Sequence, residues 1–539
     1  MNVYLLYKDR DFKSPKPYYD WNGIVKDLGL NTLFELAKSD LIMKDGKVMY
    51  VDREDENLSK VLRKVMQVPL VSVEEINYRQ QVVKDALLRE GVIDNLYQTT
   101  GDILRNWDKL GRKNKTGMRD SKAVLVSDIK ICNLMLRGIN EIRKIFEENV
   151  DRFTSHGFIT LCNRLNEDFS RDKQKKLEEI LSDISFYINT EKSQEGRNSI
   201  KSYKPRMILE CGISDGLKFS DFKLEELETQ EKVFSTPNGV VSKIVGTINN
   251  ITPNCLAVYS DPTLQDDVGE LEFQVVSYVM SFCNEISYEL GLFIEELNFQ
   301  VAFLRAAINL KHKTIREHID YTFPTANENQ SLIYKDLKDY VMCFEQKTDV
   351  VGNTGLVNDK NLVVVTGANQ GGKSTFLRSI GIAQIMLQCG LFVAAKEYSN
   401  GIYPNFFTHF TRREDVAMNS GRLDEELKRM NSIINNLGED SLILLNESFA
   451  TTTEKEGSSI AYGIIKALKN SGVKIITVTH LLSFAQSVYE EESSKPDTDT
   501  LFLSAERLEN GQRTFKIIDH KPELTSFGLD LYENVIGIN

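Results

Sequence analysis

The sequence predicts an α/β domain built around a glycine-rich loop over its last third, preceded by a mostly α-helical region with a small β-rich insertion. Three observations carry that prediction. Val363 to Thr366 form a short apolar, β-branched run, Gly367 to Thr375 read GANQGGKST, and Phe376 to Gln388 hold no proline and one internal glycine. A buried strand, a glycine-rich turn and a helix are the expected reading. From about residue 346 onward strand-like and helix-like runs alternate, which implies a mostly parallel sheet. Upstream, apolar residues recur every three or four positions through most of residues 41–345, the spacing of helices that face a core.

The loop is the most informative element. Gly-x4-Gly-Lys-Ser between a strand and a helix is the pattern that cradles phosphates. Gly367, Gly371 and Gly372 let the backbone turn so that the N–H groups of the Ala368-Asn369-Gln370 stretch and its neighbours point at one centre. The helix N-terminus adds partial positive charge. Lys373 is expected to reach the β- and γ-phosphates, with the hydroxyl of Ser374, followed by Thr375, on Mg²⁺. The expected ligand is a nucleoside triphosphate with Mg²⁺.

Upstream, the first 40 residues read as a leader containing the amphipathic segment Leu28 to Leu36. The helical region starts with Val61, Leu62, Val65, Val68 and Leu70 and continues with Val82, Val83, Ala86, Leu87 and Leu88. Val124, Ile129, Cys132, Leu136, Ile139, Ile142 and Ile145 form another stripe. Residues 205–262 differ: Ile208, Val240, Val241, Ile244, Val245, Ile248 and Ile251 fall in short runs broken by Pro237-Asn238-Gly239 and Pro253-Asn254, so a β-rich insertion is expected. From Leu264 to Phe323 the chain holds no proline, and Leu271, Val275, Val279, Phe282, Ile286, Leu290, Phe293, Leu297, Val301 and Leu304 repeat at helical spacing. Forty such residues would reach roughly 60 Å at ~1.5 Å each, a rod able to transmit movement. Two helices broken near Gly291 are the alternative.

The chain as a whole limits the function. Its 539 residues exceed one core and suggest about three domains. Sixty-six basic against 78 acidic side chains leave −12, which excludes a generally basic nucleic-acid coat but not a local basic patch. Two such patches stand out: Lys109, Arg112, Lys113, Lys115 and Arg119, then Lys192, Arg197, Lys201, Lys204 and Arg206. Both suit sequence-blind phosphate contact, and a solvated loop explains each as well. Seven cysteines, widely spaced and never CxxC, suit reduced thiols in the cytoplasm. No run of 18 apolar residues and no signal peptide are found, so no membrane partner is expected.

Two further strand runs complete the nucleotide site. Leu442 to Leu445 is followed by Asn446-Glu447-Ser448. Glu447 suits a general base that aligns water for attack on the γ-phosphate. Asn446 offers an amide oxygen to the metal's water shell, without negative charge. Val473 to Val478 runs into Thr479-His480, where the imidazole suits a γ-phosphate sensor. Between lies Ser420-Gly421-Arg422-Leu423-Asp424-Glu425-Glu426. Ser420 suits an N-cap, the acids suit the first turn, and Asp424–Lys428 and Glu425–Arg429 suit i,i+4 pairs.

In this order and spacing the motifs resemble the MutS family of DNA mismatch-repair ATPases, within the wider ABC class. The similarity is densest from Leu362 to Gln486, recurs in TSFGLDLY (Thr525 to Tyr532), and extends upstream to LVSVEEINYRQQVV (Leu70 to Val83) and to the 271–304 region. It implies an ABC-type ATPase domain at 346–539, a core and lever at 41–345, and Ser420-Gly421 acting in trans across a homodimer with ATP at the interface. The implied partner is double-stranded or branched DNA. Gly421-Arg422-Leu423 stands where the family has Ser-Thr-Phe, and Asn446 where it has aspartate, so turnover is expected to be slow. With about 40 residues before the core and no Phe-x-Glu wedge, mismatch readout is not expected. The rival expectation is a nucleotide-gated, protein-binding clamp with little ATPase activity and no DNA binding.

Overall fold

The computed structural model describes residues 3–8, 16–44, 47–115, 121–170, 172, 175, 206–214, 218–228, 262–346, 349–411, 421–495 and 497–523. The chain divides into two compact units. One comprises Met1–Val3, Asn95–Arg152 and Ile159–Asn298, the other Tyr4–Asp94, Phe153–Phe158 and Phe299–Asn539. Among the described residues no helix is long and apolar enough to cross a membrane.

In chain order, α1 (Trp21–Leu28) is capped by Asp20, which accepts from the Gly23 amide, and is ended by Gly29 at φ 70°. α2 (Asn31–Lys38) leads into an antiparallel pair, β1 (Ser39–Lys44) and β2 (Lys47–Glu54), and then α3 (Glu56–Met66). α4 (Val73–Leu88) starts where the Ser72 hydroxyl accepts from the Glu75 amide. The buried Asp85 carboxylate of α4 accepts from the amides of Thr154 and Ser155 at 2.8 and 2.6 Å.

The unit that holds most of the helical middle contains α5 (Glu90–Lys115) from Asn95, α6 (Ser121–Glu147) and α7 (His156–Asp168) from Ile159. It also contains an antiparallel pair, β3 (Arg206–Ser214) and β4 (Lys218–Glu228), and α8 (Pro262–Arg316) up to Asn298. The apolar stripe of α6 is buried at Cys132, Met135, Leu136, Ile139, Ile142 and Phe146. α8 is one helix of 55 residues and runs through Gly291 without a break, so the two-helix alternative does not hold. A Cβ at Gly291 would lie 2.3 Å from the Trp107 ring, so glycine here admits the indole against the helix. That close packing offsets the roughly 1 kcal/mol glycine costs a helix. Val240, Val241, Ile244, Val245, Ile248 and Ile251 lie outside the described residues.

Besides the β1-β2 pair, the other unit carries two larger sheets. β5 (Thr325–Ala326), β6 (Leu332–Leu337), β7 (Asn353–Val357) and β9 (Glu397–Asn400) form the smaller, in the order β5-β9-β6-β7, with the short α9 (Met342–Glu345) between β6 and β7. The larger contains β8 (Leu362–Gly367), β10 (Asn405–Phe410), β11 (Ser441–Asn446), β12 (Lys474–Val478), β13 (Thr500–Arg507) and β14 (Arg513–Asp519). Its order is β10-β11-β12-β8-β13-β14, all parallel except the antiparallel edge strand β14. α10 (Lys373–Gln388), α11 (Arg422–Ile434), α12 (Glu454–Asn470) and α13 (Leu482–Ser493) supply the crossovers.

Strand alternation explains why these runs are apolar without interruption. Leu362, Val364, Ile443, Leu445 and Ile475 join one core with Met430 of α11, Ile465 of α12 and Phe484 of α13. The opposite face receives α10 and α1, where Gly381 sits tightly against Leu28 and Leu444. Each branched side chain buried this way contributes about 1.5–3 kcal/mol. The register pairs Asn446 with Val478 and Val478 with Val365, so three strand tips end level at one edge.

Candidate nucleotide site

The carboxyl ends of a parallel sheet are where an α/β fold leaves a crevice for ligand. β8 delivers its chain there, and the next residues turn back sharply. Gly367 takes φ 105°, Gln370 59° and Gly372 92°, and the Gly371 amide donates to the Ala368 carbonyl at 3.1 Å. A Cβ at Gly371 would lie 2.7 Å from the Ala505 Cβ and 2.8 Å from the Ala368 oxygen, so no side chain fits. Gly372 then caps α10 without any side-chain bond, which leaves the first amides of the helix facing the crevice.

Lys373 is 5% exposed, and its ammonium donates to the carbonyls of Gly367 and Ala368 at 2.8 and 2.9 Å. Burial holds its pKa below the ordinary lysine range, with Glu447 pulling the other way and Arg513 adding to the depression. Two guanidinium nitrogens of Arg513, on β14, are buried without a partner among the described residues. A concentration of unneutralised cation beside a glycine loop suits a polyanionic ligand. The adjoining cavity, of about 390 Å³, is lined by Asn369 to Thr375, Glu447, Val350 and Phe515, among others. Ala368 lies behind the loop, almost fully buried.

β11 brings its tip alongside. The Ser374 hydroxyl donates to Asn446 Oδ1 at 2.9 Å, so the two residues expected at the metal do meet. Their oxygens are hard donors of the kind that suits Mg²⁺, and neither carries charge. Glu447 follows at φ 54°, with its amide on the Val478 carbonyl at 2.8 Å and its own carbonyl accepting from the Thr411 hydroxyl at 2.6 Å. His480 Nδ1 stands 3.8 Å from Glu447 Oε1, wider than a hydrogen bond and close enough for charge pairing. The His480 ring, foremost, holds the Glu447 carboxyl below the usual range against the effect of burial, and Lys373 helps. Glu447 in turn raises the His480 pKa, again against burial. The arrangement is an ionised carboxylate beside an imidazole that favours its charged form.

Ser420 lies outside the described residues, and the cap of α11 is Gly421, one position later than expected for the cap and without a side-chain bond. Gly421 is exposed, with nothing within 4 Å of a Cβ placed on it, and it does not line the cavity. Asp424 and Lys428 pair at 2.6 Å as expected, while Arg429 donates to the Phe410 carbonyl and faces Asp27 at 3.5 Å. Of the basic clusters, Lys109 is exposed on α5. The side chains of Arg112, Lys113, Lys115 and Arg206, all of Arg119, Lys192, Arg197, Lys201 and Lys204, and Thr525 to Tyr532 lie outside the described residues.

Sequence reasoning missed Arg513 and Phe515, which β14 brings to the loop; the Asn510-Gly511 turn between apolar runs was the available signal. It also missed His409 and Glu426, whose surroundings belong to packing and leave no motif.

Comparison with known proteins bears on both parts of the chain. The family profile described as MutS domain V matches residues 363–536, and that described as MutS2 N-terminal domain matches 71–195. The chain is similar to the DNA mismatch repair protein MutS of Thermotoga maritima, 27% identical over 267 residues, 50% of this chain and 32% of the relative. The protein of the same description from Leptospira interrogans is 28% identical over 276 residues, 48% of this chain and 31% of the relative. MutS protein homolog 4 of Homo sapiens is 28% identical over 191 residues, 34% and 20% respectively. The chain thus spans about a third or less of the length of these relatives.

Proposed function

The chain belongs to the MutS family, and from that premise we propose that it is a cytoplasmic Mg²⁺-dependent ATPase that dimerises around ATP and acts on DNA in repair or recombination. The observation that carries the reading is that the glycine loop, Lys373 and the Glu447 carboxylate all line one cavity. In this reading the loop amides and Lys373 bind the β- and γ-phosphates. Ser374 and Asn446 hold Mg²⁺, which supplies charge neutralisation on the phosphates when bound. Glu447, held ionised, orients a water and takes its proton as the water oxygen bonds to the γ-phosphorus and the bond from that phosphorus to the bridging oxygen breaks, releasing ADP and inorganic phosphate. His480, favouring its charged form, donates to the γ-phosphate.

ATP bridging two copies at the segment around Ser420-Gly421 makes the assembled state depend on nucleotide, and α8 carries the change into the helical lever. The exposed Lys109 and the basic residues near it contact DNA phosphates, in a salt-sensitive and sequence-blind way.

The neutral Asn446–Ser374 pair favours a second reading, a nucleotide-gated protein-binding clamp with little hydrolysis. Turnover and nucleotide titration of purified protein separate the two, with and without duplex, mismatched, branched and single-stranded DNA at several salt concentrations. The ATPase reading expects Lys373→Ala to abolish ATP binding, and Glu447→Gln to keep binding while hydrolysis falls at least about 100-fold, near 2.7 kcal/mol of barrier. Wild-type protein that binds ATP without turning it over and ignores every DNA sinks the ATPase reading and leaves the clamp. Normal turnover in both variants sinks the site.

A further inference from the structure

α11 is capped by Gly421 and its second turn carries Glu426, a carboxylate with 7% exposure in the interior of the unit. Its Oε2 accepts from the Phe449 amide at 3.0 Å and from the Thr451 hydroxyl at 3.1 Å. Both partners belong to the turn that follows Glu447. A second bridge runs in parallel through fully buried His409 of β10. Its Nε2 donates to the Glu426 carbonyl at 3.1 Å, its Nδ1 lies 2.7 Å from the Ser448 hydroxyl, and its ring stacks on Phe449 with centroids 5.7 Å apart. The helix that begins at the expected partner-facing segment is therefore tied twice to the residues flanking the base.

The tied turn needs holding. Glu447 and Phe449 sit at φ 54° and 65°, left-handed conformations that side-chain-bearing residues adopt only when their surroundings impose them. Neither is glycine, so the sequence itself gives no ease there. Released from Glu426, the turn relaxes toward ordinary dihedrals and swings the Glu447 carboxylate away from the loop. Burial also keeps the Glu426 carboxyl above the usual glutamate range, opposed by the Thr451 hydroxyl and the Phe449 amide, so a neutral side chain of the same shape is its natural mimic.

The geometry points to Glu426 as a positioning residue that fixes the Glu447 turn to α11, so that the placement of α11 sets the pose of the base. The inference rests on the ATPase reading and deepens it: whatever seats the start of α11, a second copy of this chain in the proposed dimer, acts on hydrolysis through Glu426 while leaving the phosphate loop alone.

The test compares Glu426→Ala and Glu426→Gln with wild-type full-length protein in steady-state ATPase assays and in hydrogen exchange of the 447–453 segment. Glu426→Ala is expected to lower kcat at least tenfold with KM for ATP within twofold, and to speed exchange of that segment at least tenfold. Glu426→Gln, whose amide oxygen accepts the same two bonds, is expected to keep at least half of kcat and the slow exchange. If Glu426→Ala does not fold, Thr451→Val removes one of the two donors and is expected to lower kcat about threefold at unchanged KM. Overturning results are Glu426→Ala with wild-type turnover and exchange, alanine and glutamine variants that lose KM and exchange protection alike across the whole unit, or Thr451→Val without effect. A wild-type protein that never hydrolyses ATP defeats the ATPase reading instead, and the exchange comparison still decides whether Glu426 holds the turn.

Discussion

The phosphate loop and the Glu447 turn stand at neighbouring strand tips and both rely on left-handed backbone, yet they reach it differently. In the loop, two of the three residues with positive φ are glycines, Gly367 and Gly372, and the amides and one lysine do the rest. In the turn, the residues with positive φ are Glu447 and Phe449, held by His409 of β10, Thr411 just after it, Glu426 of α11 and Ser448 of the turn itself. The loop's geometry is written in composition, so it survives changes around it. The turn's geometry is borrowed from tertiary contacts, so it yields when they change. Under the proposed ATPase reading, phosphate binding and catalysis should therefore be separable by mutation.

The largest effect comes from breaking the loop where composition is strictest. Gly371→Ala places a methyl against Ala505 and the Ala368 carbonyl, so the loop must shift as a whole. Titration with a fluorescent ATP analogue should show affinity reduced about 100-fold, near 2.7 kcal/mol; affinity within threefold of wild type contradicts the loop's backbone-only design. A smaller effect comes from loosening the turn. Ser448→Ala removes the hydroxyl shared by His409 Nδ1 and the His409 carbonyl. Steady-state kinetics should show kcat down about tenfold, near 1.4 kcal/mol, at unchanged KM; a matching loss of ATP affinity erases the proposed separation.

The finest test is pH. The His480 pKa lies above 6.5, so its charge is present below that raised value and is lost as pH rises through it. Glu447, lowered from 4.5, stays ionised throughout that range. Free-enzyme kcat/KM should therefore fall about threefold on the alkaline side, and His480→Gln should flatten that limb. A limb that persists in the variant assigns it to another group.

The two regions differed in legibility for the same reason. Gly367 to Ser374 announced itself because glycine is the local solution to its backbone, and the strand and helix around it follow from their apolar spacing. Asn446 and Glu447 were legible as a strand tip with polar residues, while the left-handed φ of Glu447 was not, since nothing in a glutamate predicts it. Glu426 looked like one more acid in a helix's first turns; only folding places its carboxyl on Phe449 and Thr451. Gly291 had left a broken helix open as the alternative to a single rod. A glycine in a helical stripe reads as a break, whereas here it makes room for the Trp107 ring on an unbroken α8.

The bonds from Lys373 to the carbonyls of Gly367 and Ala368 have a consequence for how tightly nucleotide is held. An arriving phosphate competes with two acceptors that the protein itself provides, so the ammonium trades partners instead of acquiring its first. For the proposed ATPase the net gain would be the difference between a charged oxygen and a pair of peptide oxygens, which would lower affinity and quicken exchange of spent for fresh nucleotide.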